Sequence, residues 1–548
     1  MAYIRSQKII RNDDGRIISG SASIAESKYV KGGGKIHSRR VTIEKLGKVI
    51  WLSEDNRNGI FMSPTRGLIE YDCESGQFSQ VSRDDNRLPK GFVFSTPEVH
   101  TVFGDAYILM ELMHRHGIPE ILKDAIPETV ERSRALCHII HGVLRDGSRI
   151  HCDDFIGKSI VSHILDDVPL YSLDTDSSFF KMMGNDNVRI AFFKSFVAHM
   201  RLTHPNFGKC TYIDSTPLPN DIAALFTNAL CSHGIGATSV QTRLVFILDK
   251  ETGLPVWFMS LTGNVLDMNT INDIMSDVKD NLDISIEDMV VDAGYVTKGL
   301  LMARQDNVFK SLIARMPARK GFPFKELYRK IKPHLKMGRY EFDRKGHTYF
   351  GERHEVNLFG CPINAYVYVD WMNANSRSAE WRGKHYEEYA TMKPLQKDWL
   401  AVEFGFFVLI SEKVMEPVAL LDEYFDRTDI EVFNKTSKEY EKLLPLRKWD
   451  YTRVMGKILH DMINTIVLSM VRSDIRKVIG NDEKKLRQAM STTKLIGGAQ
   501  SLMCAKQSTG NIRVDYPSKQ AKEAFKALRI PLPSNVDIAL QRKKILLL

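Results

Sequence analysis

Lys209-Cys210-Thr211-Tyr212-Ile213-Asp214 and Asp288-Met289-Val290-Val291-Asp292 are two short apolar runs, and each closes on an acid. Their length and their β-branched and aromatic content read as strands, the second a buried one. Between them, Arg243-Leu244-Val245-Phe246-Ile247-Leu248, a polar turn at Asp249 to Gly253, and Pro255-Val256-Trp257-Phe258-Met259-Ser260 have the pattern of a β-hairpin. Helices are expected over Met268 to Asn281 and from Thr297 to Arg304, with a fifth strand at Phe309 to Arg315. Strands alternating with helices predict an α/β fold over this part of the chain. Asp249 and Asp370 also end apolar runs and read as turn residues.

Downstream the rhythm breaks. Residues 318–400 are rich in Lys, Arg and aromatics, with strand-like pieces such as Ala365-Tyr366-Val367-Tyr368-Val369, and read as a β-rich insertion. Phe404 to Ile410 resumes as a strand. No Gly or Pro falls between Pro417 and Pro445, so a long helix is expected there. At about 100° per residue, Tyr424, Arg427, Glu431 and Lys438 fall within an arc of roughly 60° on one face of it. Leu421, Phe425 and Val432 form the apolar stripe beside them. A carboxylate flanked by cations along one helix face suits a metal site that grips a phosphodiester. Another amphipathic helix is expected over 446–475, then a basic tail from 476 to 548 with a helical piece near Lys519 to Leu528.

Upstream, residues 1–95 show short apolar runs broken by turn residues, the mark of a small β-rich region. The basic segment Lys31 to Arg40 within it reads as a solvated loop in preference to a DNA-contacting arm, and it lacks the GxxxxGK[ST] spacing of a P-loop. Residues 96–205 turn helical. Cys137, His138, His141, His151 and Cys152 cluster there, but without a paired-cysteine knuckle they read as packed side chains, not zinc ligands.

The 548 residues exceed one ordinary core, so three or four domains or subdomains are expected. A net charge of +9 favours a polyanionic partner. Seven scattered cysteines without CxxC pairs read as reduced intracellular thiols. The chain starts without the apolar core of a secretory signal. Its most apolar stretch, Ile458 to Val471, is interrupted by His460, Asp461 and Asn464 and is too short for a bilayer. The reading is a cytoplasmic protein with no membrane partner.

Asp214 and Asp292 sit where a rigid backbone can aim a side chain into a cleft, and Glu431 can reach them from a helix packed on the sheet. Three carboxylates can hold two divalent ions through hard oxygen ligands. Such a pair suits in-line displacement at phosphorus without a covalent intermediate.

These residues resemble insertion-sequence transposases with a DDE triad on an RNase H-like fold. One large bacterial branch carries Tyr, two residues, Arg, three residues, Glu, six residues, Lys; Tyr424, Arg427, Glu431 and Lys438 match it without a gap. Tyr212-Ile213-Asp214-Ser215-Thr216 and Val290-Val291-Asp292-Ala293-Gly294-Tyr295 are similar to its two aspartate contexts, as is Gly263-Asn264 followed by Asp267. The resemblance implies an RNase H-like catalytic domain over 206–475 whose β-rich insertion precedes the glutamate helix. It implies that Asp214, Asp292 and Glu431 bind two divalent metals, magnesium or alternatively manganese, and that Arg427 and Lys438 contact phosphates. Tyr424 would help position that backbone. Arg315, Arg319, Lys320, Arg377 and Arg382 are candidates to line the DNA path. Some members excise through a DNA hairpin supported by a tryptophan of the insertion, for which Trp371 and Trp381 are candidates, with ordinary core packing the alternative. The implied activity is cleavage at element ends and strand transfer into target DNA, by a homodimer on double-stranded DNA, with residues 96–205 the DNA-end-binding region and a nucleoid-associated location. The rivals are a nuclease without strand transfer and a non-catalytic domesticated DNA-binding protein.

Overall fold

The alternation around Asp214 folds into one mixed sheet of ten strands. The computed structural model describes residues 2–548 except 14, 33–34, 64–65, 83–84, 90–91, 93–99, 146–148, 167–168, 231–238, 265–270, 427–445, 447, 480–495 and 508–509. Its contacts divide the chain into two units: Met1–Thr101 with Met503–Asp515 and Ser534–Val536, and all the rest.

The first unit holds a six-stranded antiparallel sheet in simple sequence order: β1 (Ala2–Arg11), β2 (Ile17–Gly32), β3 (Lys35–Leu52), β4 (Asn58–Ser63), β5 (Gly67–Asp72) and β6 (Gln77–Gln80). Ile4, Ile24, Leu46, Val49, Phe61 and Tyr71 line its buried face. A smaller sheet orders β20 (Asn535–Asp537), β19 (Asn511–Val514), β18 (Met503–Lys506) and β7 (His100–Val102), so three strands of the basic tail belong to it. Lys31–Gly32 and Lys35–Arg40, expected as a loop, are strand, and β2 and β3 stay paired as far as Gly32 opposite Lys35.

In the second unit the strands are β8 (Cys210–Pro219), β9 (Ala229–Leu230), β10 (Val240–Asp249), β11 (Pro255–Thr262), β12 (Asp288–Val291), β13 (Ser311–Arg315), β14 (Glu341–Arg344), β15 (His347–Leu358), β16 (Cys361–Asp370) and β17 (Phe406–Ser411). Their order is β11-β10-β8-β12-β13-β17-β16-β15-β14, with β9 on β10. β10 and β11 form the expected hairpin, and β12 is parallel to both β8 and β13. The helices Ile271–Leu282 and Lys298–Gln305 form as expected, the second capped by Thr297, whose side chain accepts from the Leu300 N–H.

The expected β-rich insertion differs in two respects. Residues 318–400 hold four α-helices (Phe324–Ile331, Trp371–Lys384, Tyr386–Thr391 and Pro394–Glu403) as well as three strands. Those strands also extend the main sheet, because β17 is buried along almost its whole length and pairs on both edges, with β13 and with β16. An apolar strand buried on both faces is a central strand.

Helices from the 104–201 stretch pack with Tyr451–Ile479. That 29-residue helix exceeds the apolar stretch Ile458 to Val471 at both ends, so it is not too short: by length and composition it could cross a membrane. Here 94% of its apolar window is buried, against Leu173–Met183 and Thr129–Leu144 among others. At its centre Asp461 accepts from the Lys457 ammonium at 2.5 Å and contacts His460 Nδ1 at 2.9 Å.

Candidate active site

β8 and β12 run parallel, with Asp288 beside Cys210 and, three steps on, Val291 beside Ile213. Asp292 and Asp214 are the next residues, and Asp292 keeps an extended backbone (φ −80°, ψ 169°). The two acids therefore leave the ladder side by side. β12 and β13 pair in the same sense, Val291 beside Ala314, which sets Arg315 level with Asp292 on its other flank. Neighbouring strands lie about 4.8 Å apart and laterally paired residues share a face, so Asp214, Asp292 and Arg315 form one row across three strands.

Each acid is held locally. Asp214 does not end its strand: β8 continues to Pro219, paired with β10. What ends beyond Ile213 is the ladder with β12, and the open edge tolerates Pro217 and Pro219, which have no N–H to donate. Asp214 is half-buried, and one carboxylate oxygen accepts from the Ser215 N–H at 2.9 Å. Beside it the Arg243 guanidinium donates to Ser215 Oγ at 2.9 Å. Asp292 opens a single helical turn, Ala293–Tyr295, anchored by buried Tyr295 and Val296. Arg319 donates to the Val296 carbonyl at 3.0 Å, so this cation clamps the turn after Asp292.

Tyr424 sits on the helix Pro417–Phe425, 5% exposed, on the buried face with Leu420 and Leu421. For Tyr424 alone this corrects its expected place on a polar stripe, since the ring packs inward. Its hydroxyl lies 3.4 Å from Asp292 Oδ1. Arg427, Glu431 and Lys438 lie outside the described residues, as does Asp267.

Arg315 is exposed, with its guanidinium 5.6 Å from the Phe407 ring centroid. Trp371 is not part of the row. β16 is level with Arg315 at Tyr366, through Leu409 of β17, and Trp371 follows five residues later, about 16 Å further along the strand direction. Its indole N–H is buried without a hydrogen-bond partner among the described residues. Trp381 stacks on His385 at 4.5 Å.

No family model and no curated protein matches this chain. Among solved structures it is similar to a piggyBac transposase synaptic complex with hairpin DNA, at 11% identity and a TM-score of 0.36, over 72% of this chain and 81% of that one. A likeness at that level does not establish a shared fold.

Asp288, Asp249 and Asp370, three other acids of this unit, hold local structure. At the far end of β12, burial works to raise the Asp288 carboxyl, but hydrogen bonds from Ser311 and Lys413 hold it below the ordinary range. Asp249 accepts from the Gly208 and Thr252 N–H groups and closes the hairpin turn. Asp370 is a helix cap more than a turn residue, accepting from the Asn373 N–H at 3.0 Å. His138 is buried and stacked on Phe179 at 4.3 Å, with Cys152 Sγ 3.9 Å away. Burial pushes the His138 ring well below the usual imidazole range. Among the described residues no three His, Cys, Asp or Glu side chains converge on a metal position. Asp214 and Asp292 form a pair of half-buried carboxylates at one level of one sheet. The sequence does not single out Arg243, which donates to the Ser215 hydroxyl, nor the clamping role of Arg319, for an arginine bound to a neighbouring loop or hydroxyl has no signature of its own.

Proposed function

We propose that this chain is a metal-dependent DNA transposase whose catalytic core is RNase H-like. The observation that carries the reading is the parallel register that aligns Asp214 with Asp292 at the point where β8 loses its β12 neighbour. Hard, adjacent carboxylate oxygens fit divalent magnesium or manganese, with Glu431 as the third ligand. When bound, the ions supply charge stabilisation to the attacking and leaving oxygens of an in-line phosphoryl displacement. The protein's own groups do the rest. Arg315, level with Asp292, is assigned to a phosphate, and the Tyr424 hydroxyl beside Asp292 Oδ1 limits the directions that carboxylate can take. Arg319 fixes the turn that aims it. Arg427 and Lys438 are assigned to the end phosphates on the sequence motif, and action as a homodimer that cuts element ends and joins them to target duplex belongs to the same proposal.

The test is cleavage of labelled duplex carrying the DNA that flanks the gene, with magnesium, by wild type, Asp214→Asn, Asp292→Asn and Glu431→Gln. Cleavage should require all three acids, and calorimetric titration with manganese should show weakened binding in each variant. Undiminished cutting by Asp292→Asn would sink the assignment.

A further inference from the structure

We infer that the free end of the β2–β3 hairpin is a duplex-DNA-binding ribbon, docking on the phosphates flanking a groove. Choosing DNA among polyanions rests on the function proposed above; the ribbon itself rests on its own geometry and charge.

β1 pairs with β2 only up to Glu26, and β4 pairs with β3 only from Lys48 onward. Beyond Glu26 the ladder is two-stranded, running from Ser27 opposite Arg40 to Gly32 opposite Lys35. Six residue pairs at about 3.3 Å each make a ribbon of roughly 20 Å. The B-DNA major groove, about 12 Å wide, admits a two-stranded ribbon.

The charge is all of one sign. From Ser27 to Ile43 the sequence carries Lys28, Lys31, Lys35, Arg39 and Arg40 and no Asp or Glu. The register sets Lys28 directly opposite Arg39. Like charges directly opposed destabilise a strand pair, and a two-stranded hairpin is only marginally stable by itself. A ribbon kept in that state has its charge offset when a polyanion binds. Tyr29, 77% exposed, adds an aromatic ring with a hydroxyl among these cations. Val41 and Ile43, at the foot of the ribbon, are exposed as well. The competing account is that these cations only deter edge-to-edge strand pairing. It predicts no role in binding.

The experiment uses the full chain and fluorescence anisotropy on a labelled duplex across a salt series. One variant replaces Lys31, Lys35, Arg39 and Arg40 with Gln; a second joins Glu26 to Val41 through Asn-Gly, removing the ribbon. Both should keep the wild-type melting temperature. Every phosphate that a variant leaves un-neutralised should lower the slope of log affinity against log salt by about 0.9, a total of roughly 3 to 4, with at least a ~10-fold weaker complex at low salt. Wild-type affinity and slope in both variants would overturn the ribbon. Equal or stronger ribbon-dependent binding to single-stranded RNA or to anionic vesicles would overturn the choice of duplex. Cleavage separates the two proposals: ribbon-dependent binding without magnesium-dependent cutting keeps the ribbon and sinks the transposase reading. Cutting with ribbon-independent binding does the reverse.

Discussion

Two places in the second unit set carboxylates among apolar neighbours, and they treat them oppositely. Inside the helices Asp461, its side chain 3% exposed, is matched by Lys457 and His460. Burial works to raise its carboxyl, yet the Lys457 ammonium and the His460 contact bring it to about 2. At the sheet, Asp214 and Asp292 stay half-buried at the point where a ladder ends, one strand spacing apart. A structural acid is enclosed with its counter-charge. Asp214 and Asp292 sit side by side with solvent still in reach. Burial with a matched partner marks structure, while two acids held together at an opening fit the metal site proposed above.

The sharpest way to break this contrast is to compare neutral variants. Asp292→Asn should lose on the order of 10³ in cleavage rate, because metal-borne charge stabilisation is worth several kcal/mol. Its melting temperature should move by no more than a few degrees. Asp461→Ala should behave in reverse, losing about 3 kcal/mol of stability by denaturant titration because Lys457 is left buried and uncompensated. The double change Asp461→Leu with Lys457→Met should recover most of that loss. If Asp292→Asn proves the more destabilising of the two, the contrast fails.

Tyr424→Phe probes the join between scaffold and site. Removing the hydroxyl beside Asp292 should lower cleavage roughly 10-fold, within the range for groups that orient a metal ligand, with little change in stability. Equal cutting by Tyr424→Phe would reduce the tyrosine to packing.

Acid titration of stability separates two kinds of enclosed group, the buried histidines and Asp461. Burial lowers His141 to about 4 and also lowers His138. Both rings are folded neutral, and the unfolded chain binds more protons below about pH 6.5. Stability should therefore be full above about 6.5 and fall as pH drops toward 4, and His141→Gln should flatten that limb. The Asp461 contribution is present above about 3.8 and is lost as pH falls through about 2. Thermal melts across pH would read both windows. The smallest expected effect is Arg315→Gln, which should lower the salt slope of duplex binding by about 1.

Much of the candidate site is legible in the sequence because strand composition and a terminal acid are local features. Asp292 directly follows its apolar strand, where the local pattern puts it. Asp214 lies on the expected strand but inside it, not at its end, since Pro217 and Pro219 argue locally against a strand that an open edge permits. The polar helix Trp371–Lys384 is hidden among aromatics and cations, and the basic hairpin resembles a loop because Gly and Lys are poor strand formers.

By itself the sequence determined the identity and order of the acids, the strands that carry Asp214 and Asp292, and the motif from Tyr424 to Lys438, because these depend on residue type and on periods of two or 3.6. Only the tertiary structure decided that Asp214, Asp292 and Arg315 share one row, that Tyr424 faces inward to Asp292, and that Asp461 is matched within the helices. Register between strands distant in sequence is set by which apolar faces must be buried together, and no local pattern encodes it.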